Sequence, residues 1–248
     1  MSLAIEIKNL KKQYKDSWSP ALDGLNLDVK KNSVTGLLGP NGAGKTTCIN
    51  IICGLVKADD GTARVFDKNC FGAKEEIRKK IGVVPQQIAL FGNLTAWENY
   101  NYIGSLYNLS KALIHERANY LLERLGLFKH ADKRIGRYSG GMKRRANIIA
   151  SLLHDPELVI LDEPTAGVDV QSRALIHDFL QEYHQRNKTI LYTSHHLDEA
   201  EELCEQVVII DEGKYILSGS PKELIATTPG TRKLEDVFLH YTGHSVRD

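Results

Sequence analysis

No stretch of the sequence approaches the ~18 consecutive apolar residues of a membrane span, so any work at a membrane needs a partner that supplies the span. The opening MSLAIEIKNLKK has neither a long apolar region nor a small-residue cleavage site, which excludes a signal peptide and leads to the expectation of a cytosolic chain. Cysteine is scarce. Cys48, Cys53, Cys70 and Cys204 form no C-x-x-C pair and have no histidine cluster beside them. That excludes a zinc ribbon or a disulfide framework and leaves buried, reduced thiols as the expectation. An excess of one charge is missing too: 32 Lys and Arg face 31 Asp and Glu, a net charge of +1. Nucleic-acid binding by bulk charge therefore has no support. Internal repeats and low-complexity tracts are absent. What remains, 42% hydrophobic and 25% charged over 248 residues, suits an ordinary globular protein with a sizeable core, either one large domain or a domain carrying an inserted subdomain.

Strand texture dominates the beginning of the chain. LAIEI at 3–7 alternates, as does LNLDV at 25–29, and VTGLLG at 34–39 is a short apolar run ending in glycine. TTCINIICGL then reads as a helix stopped by Gly54. From about residue 94 the texture turns helical. Thr95 and Glu98 form a capping box, and Ile114, Ala118, Leu121, Leu122 and Leu125 share one face of a helix ended by Gly126. Ser139 caps a third helix that runs to His154 before Asp155-Pro156. Apolar strands return at 158–162, 189–194 and 206–211, with a helix between the first two whose inner face holds Leu175, Ile176, Phe179, Leu180 and Tyr183. Apolar strands alternating with helices imply a parallel sheet covered on both faces. KLEDVFLHYTG near the end reads as a short amphipathic helix, followed by a tail.

Two segments carry chemistry. GPNGAGKT at 39–46 fits G-x-x-x-x-G-K-[ST], and it sits between a strand and a helix as a phosphate loop must. Its glycines let backbone N–H groups converge on phosphate oxygens at the positive end of the helix, with Lys45 reaching the β and γ phosphates and the Thr46 hydroxyl on Mg²⁺. In LVILDEPTAGVD at 158–169, four apolar residues place Asp162 at the carboxyl end of a buried strand, suited to hold Mg²⁺, with Glu163 beside it as general base for an attacking water. A second glycine turn, YSGGMKRR at 138–145, also looks like a phosphate cradle opening a helix. One chain then carries two.

LGPNGAGKTT, VVPQQ, YSGGM, LVILDEPTAGVD and TSHHLDEAE occur in the order found in ATP-binding cassette ATPases of transporters, and the sequence resembles that family over roughly residues 3–220. The resemblance implies an α/β fold. Its core is a P-loop NTPase with a RecA-like, mostly parallel sheet, an N-terminal antiparallel β part and an inserted α-helical subdomain. By residue number, an ATP-binding domain spans 3–240, with its core at about 3–87 and 156–220 and the helical subdomain at about 94–155; 221–248 form a short helix and tail. It also implies head-to-tail dimers, from two copies or a sister cassette, that sandwich two ATP molecules with Mg²⁺. Gly39, Pro40, Asn41, Gly42, Ala43, Gly44, Lys45, Thr46 and Thr47 match the nucleotide loop, and Tyr14 matches the aromatic that stacks on adenine. Gln86, directly after Pro85, matches the glutamine that senses Mg²⁺ and the attacking water, in a loop that makes a natural hinge; with Thr46 and Asp162 it completes the metal set. Glu163 and His195 match the base and the switch histidine, and Asp169 the loop that crosses between subunits. His196 is expected to face away from His195, as neighbours on an extended chain do. YSGGM resembles the family signature LSGGQ, with Tyr138 and Met142 as departures shared with exporter-type cassettes. Ser139, Gly140 and Gly141 would bind the γ phosphate held by the other subunit, and Gly141→Asp is expected to touch only that nucleotide. Lys143, Arg144 and Arg145 are expected to form a solvated helix face.

The resemblance thus implies an ATPase subunit, peripheral on the cytoplasmic face of the inner or plasma membrane, that powers export through an integral membrane subunit. The closing LEDVFLHYTG resembles exporter cassettes of drugs, lipids, polysaccharides or ions. The alternatives are an importer ATPase, or a soluble cassette protein acting on ribosomes or DNA. The latter class usually has paired cassettes or a coiled-coil insertion, neither of which is present, so no nucleic-acid partner is expected. A P-loop kinase or GTPase would have no use for YSGGM or a switch histidine.

Overall fold

The computed structural model describes residues 2–15 and 17–243. In chain order the elements are β1 (Leu3–Lys12), β2 (Leu22–Lys30), β3 (Val34–Leu38), α1 (Lys45–Ile52), β4 (Asp60–Val65), β5 (Lys68–Asn69), α2 (Lys74–Lys80), β6 (Ile81–Val84), α3 (Ala96–Leu106), α4 (Lys111–Arg124), α5 (Gly140–Leu152), β7 (Leu158–Asp162), α6 (Val170–His184), β8 (Thr189–Ser194), α7 (Leu197–Leu203), β9 (Gln206–Asp211), β10 (Lys214–Gly219), α8 (Pro221–Thr227) and α9 (Leu234–Thr242). They fall into two compact units, Met1–Arg78 with Thr189–Asp248, and Lys79–Lys188.

In the first unit an antiparallel sheet runs β2-β1-β4-β5. The alternation read at 3–7 buries Ile5 and Ile7, with Ile5 opposite Val29 on one side and Val65 on the other. The same unit holds β3 between β8 and β9, both parallel to it, with β10 antiparallel on β9. β3 and β8 are buried along their whole length, which is why they read as unbroken apolar runs. Leu38 lies opposite Ser194 and Ile209, so the loops after β3 and β8 leave the sheet at one edge. At the far end of the chain Leu234 and Val237 of α9 are buried, and Glu201 of α7 accepts the Leu234 N–H at 2.8 Å. Residues 244–248 of the expected tail lie outside the described residues.

The second unit holds β6 parallel to β7, with Ile81 opposite Leu158 and Val84 opposite Leu161. Its helices begin as the sequence dictates. Thr95 and Glu98 close the capping box of α3, Ser110 caps α4, and the Ser139 hydroxyl accepts the Met142 N–H at the start of α5. Ile114, Ala118, Leu121 and Leu122 are all buried along α4. Ile114, Leu121 and Leu122 each stabilise the unit by about 1.5–3 kcal/mol through burial, and the Ala118 methyl by less. On α6 the inner face is Ile176, Phe179, Leu180 and Tyr183, with Leu175 half-buried at its margin.

Candidate nucleotide and hydrolysis site

The loop after β3 presents backbone donors. Gly44 caps α1 at φ 102° with no side chain, a conformation that glycine alone adopts without strain, and a Cβ there would drive into the Ala21 carbonyl. The Pro40 carbonyl accepts the Ala43 N–H at 3.2 Å and the Ala43 carbonyl accepts the Gly213 N–H at 3.1 Å, which fixes the loop on its own unit. The first turn of α1 contains no acidic residue, so no carboxylate in that turn neutralises the positive helix end. Lys45 is buried, and its Nζ lies back along the loop, donating to the carbonyls of Gly39 at 2.7 Å and Pro40 at 3.0 Å. Asn41, Gly42 and Thr46 are exposed, Thr47 half-buried, and the space around Gly42 is open. An uncapped helix end, an open glycine turn and a buried ammonium within it fit a polyphosphate. Tyr14 is 41% exposed, with the Lys12 ammonium 5.7 Å from its ring centroid.

His195 follows β8 at the same sheet edge as this loop and is exposed. His196 does not turn away from it: the two rings lie 4.2 Å apart at 38°. The chain is leaving the strand here. His196 already caps α7, and its N–H donates to the Ser194 hydroxyl at 2.9 Å, so the alternation of an extended chain no longer holds.

In the second unit β7 ends at Asp162, which is 6% exposed; Glu163, 8% exposed, follows in the left-handed region at φ 49°. A non-glycine residue held there costs on the order of 1–3 kcal/mol, and such strain concentrates at functional sites. The carboxylate is already engaged: Gln86 Nε2 donates to Glu163 Oε2 at 2.9 Å. The loop carrying Gln86 is not slack. Arg144 Nη1 donates to the Pro85 carbonyl at 3.0 Å, Asn147 accepts the Ala89 N–H at 3.1 Å, and Asn99 of α3 accepts the Phe91 N–H at 2.8 Å. A loop expected as a hinge is thus tied to two helices of its own unit.

Those contacts overturn the expectation of a solvated basic face. Arg144 is 6% exposed; burial lowers its pKa, while the carboxylates of Glu163 and Asp162 favour its charge. Arg145 is half-buried and donates to the Leu125 carbonyl at 2.7 Å. The signal was available. Positions 141, 144, 148 and 152 form one stripe of a helix, and its other members are buried.

Around the second glycine turn, Ser139 and Gly140 are exposed while Gly141 is buried. A Cβ on Gly141 would drive into the Ser172 hydroxyl and stand 3.0 Å from Asp169 Oδ2. Asp169 caps α6, accepting the Ser172 N–H at 2.8 Å and the Ser172 hydroxyl at 2.9 Å, and the Ser172 N–H foremost holds its carboxyl below the usual carboxylate range. Gly141→Asp therefore strikes its own chain, contrary to expectation. Of the two departures in the signature, Tyr138 is explained: it is buried and its hydroxyl donates to the His130 carbonyl at 2.7 Å. Met142 is half-buried.

Residues 22–166 match the family model described as ABC transporter. The chain belongs to the ABC transporter family. It is 42% identical over 226 residues to the linearmycin resistance ATP-binding protein LnrL of Bacillus subtilis, covering 91% of this chain and 72% of that one. It is 38% identical over 231 residues to the Nod factor export ATP-binding protein I of Ralstonia nicotianae, covering 93% and 71%. Among solved structures it is similar to the dimeric, post-hydrolysis ATP-binding cassette MJ0796 bound to ADP and Pi, with a TM-score of 0.79 and 28% identity over 87% of this chain and 98% of that one. The protein is the ATP-binding, ATP-hydrolysing subunit of an ABC transporter, with the α/β cassette fold of such subunits. Among the described residues of this ABC ATPase, no helix is long and apolar enough to cross a membrane.

Proposed function

We propose that this ABC ATPase drives export through a separate membrane-embedded subunit, and that Glu163 is the base of its hydrolysis. The observation that carries the second half is the Gln86–Glu163 hydrogen bond at 2.9 Å, formed by a buried carboxylate on a strained backbone at the end of a buried strand. Glu163 accepts the proton of the attacking water, and Gln86 holds the carboxylate in place and offers its amide oxygen to that water. The loop from Gly39 to Thr47 binds the polyphosphate, and Tyr14 stacks on the base. Mg²⁺ bound with the nucleotide neutralises charge on the phosphate oxygens; Thr46, Asp162 and Gln86 each offer an oxygen of the hard kind it takes. His195 contacts the γ phosphate from the end of β8. Ser139 and the N–H groups of Gly140 and Gly141 serve a nucleotide held by a second cassette, and Asp169 lies in the segment that crosses to it, beyond its work as helix cap.

Export, in preference to import, is supported by the relatives named for linearmycin resistance and Nod factor export, together with the resemblance of KLEDVFLHYTG at 233–243 to exporter cassettes. ATP closes a pair of cassettes, hydrolysis opens them, and the helical segment passes that movement to the membrane subunit. Glu163→Gln removes the base while keeping the size and a hydrogen bond to Gln86. Hydrolysis should fall to background while ATP still binds and an ATP-bound dimer accumulates on a sizing column. A variant that hydrolyses normally, or stays monomeric with ATP, contradicts the assignment. Stable co-purification with a substrate-binding receptor system alone would contradict export.

A further inference from the structure

α5 begins at the signature turn, and Arg144 and Asn147 leave it on the side facing the loop at 85–89. Both are buried, Asn147 at 1% exposure. Their polar atoms converge on one backbone segment: Arg144 Nη1 lies 3.0 Å and Asn147 Nδ2 3.5 Å from the Pro85 carbonyl, and Asn147 Oδ1 takes the Ala89 N–H. Gln86 is the next residue after Pro85, and its amide holds Glu163. A buried guanidinium is costly unless its charge is answered; here the answering charges are Glu163 and Asp162. The same arginine therefore holds the backbone that carries Gln86.

We propose that Arg144, seconded by Asn147, is a positioning residue that fixes Gln86 against Glu163 and so connects the signature helix to the base. The inference rests on the reading of Glu163 as base. A shift of α5 when its N-terminal turn is engaged would move the Pro85 carbonyl with it, and Gln86 after that. The first consequence of an engaged signature is then an adjusted base. The guanidinium fork suits this task because it can hold a carbonyl and still present charge to a carboxylate.

The test is a double-mutant cycle on the full chain, with steady-state ATP hydrolysis, equilibrium ATP affinity and thermal melting measured for each variant. Arg144→Met should lower kcat by about 10- to 100-fold, the factor a charged hydrogen bond commands. KM and ATP affinity should stay within about 2-fold of the wild type, since the loop at 39–47 is untouched. Arg144→Lys, which keeps charge and a donor, should recover most of the loss. In a Gln86→Ala background Arg144→Met should cost less than about 3-fold more, because the route is already cut. Equal factors in both backgrounds, or a loss in KM with kcat unchanged, would overturn the inference with the base reading intact. Retained hydrolysis in Glu163→Gln would overturn the base reading and remove the last link. If Arg144→Met does not fold, Arg144→Gln and Asn147→Ser enter the same cycle, and additivity of either with Gln86→Ala refutes it equally.

Discussion

Gly141→Ala adds a single methyl group at a place where the chain leaves no room for one. The added Cβ would drive into the Ser172 hydroxyl, stand 2.9 Å from Ser172 Cβ and 3.0 Å from Asp169 Oδ2. Ser172 and Asp169 together make the N-cap of α6, through two hydrogen bonds at 2.8 and 2.9 Å. Overpacking of this kind costs about 1–3 kcal/mol, and loss of a helix cap about 0.5–2 kcal/mol. Against this, alanine gains up to about 1 kcal/mol over glycine within a helix. The neighbouring Gly140 is the internal control: a Cβ there meets nothing nearer than the Gly167 carbonyl at 3.8 Å. Gly140→Ala should be neutral or mildly stabilising, and Gly141→Ala less stable than it by about 2–4 kcal/mol. Denaturant unfolding followed by tryptophan emission measures the difference. Trp18 is fully exposed at 104% and contributes little change on unfolding, whereas Trp97 is half-buried with its ring 4.6 Å from His115 in the same unit as Gly141. Equal midpoints for the two alanine variants would refute the packing argument. So would full retention of the loss when Ser172 is replaced by glycine, which empties the space the methyl needs.

For the same reason Gly140→Asp replaces Gly141→Asp as the probe of a nucleotide held in trans: ATP affinity of the isolated chain and its melting temperature should be preserved while hydrolysis falls at least ~10-fold, and equal loss of affinity would contradict it. Lys45→Ala should weaken ATP binding itself, read by titration calorimetry, and an unchanged affinity would sink the cradle. His154 is acid-sensitive. Burial lowers its pKa below the ordinary 6.5, its Nε2 lies 2.9 Å from the Ile81 carbonyl and its ring stacks on Tyr107, while Arg117 and Lys188 oppose its charge and Asp155 favours it. Below pH 6.5 the unfolded chain binds a proton that the folded one refuses, so the stability it contributes is whole above 6.5 and lost as pH falls through 6.5 towards the lower folded value. His154→Phe should flatten that part of the stability–pH curve, whose slope for one group cannot exceed ~1.4 kcal/mol per pH unit; identical curves would refute it.

Three buried strands are legible to the residue: β7, β8 and β9 run 158–162, 189–194 and 206–211, as the apolar runs do, whereas the four-residue β6 (Ile81–Val84) is too short to stand out. β4 and β10 are not, because four of the six residues of β4 are exposed and none of β10 is buried, so neither carries an apolar run along its length. α8 is short, but Ser220, Pro221 and Glu223 spell a capping box with proline at the first helical position. In the candidate site, the residues that the sequence proposes are those whose chemistry is spelled by their neighbours, such as Lys45 between Gly44 and Thr46, or Glu163 after four apolar residues and Asp162. Missed were the residues that serve the site from another element. Asp169 as a cap needed only the sight of Ser172 three positions on.

Arg144 and Arg145 depart from a solvated face for a more general reason. Residue type alone makes a basic triplet on a helix look solvated, yet Arg144 falls on the stripe of Gly141, Ile148 and Leu152. On a helix the stripe has the prior claim: Arg144 is buried with its guanidinium on the Pro85 carbonyl, whereas rotating the helix to expose it would expose Ile148 and Leu152 together, at about 3–6 kcal/mol. A cation on an otherwise apolar stripe is therefore better read as a residue with a buried partner to find, and here that partner is the backbone just before Gln86.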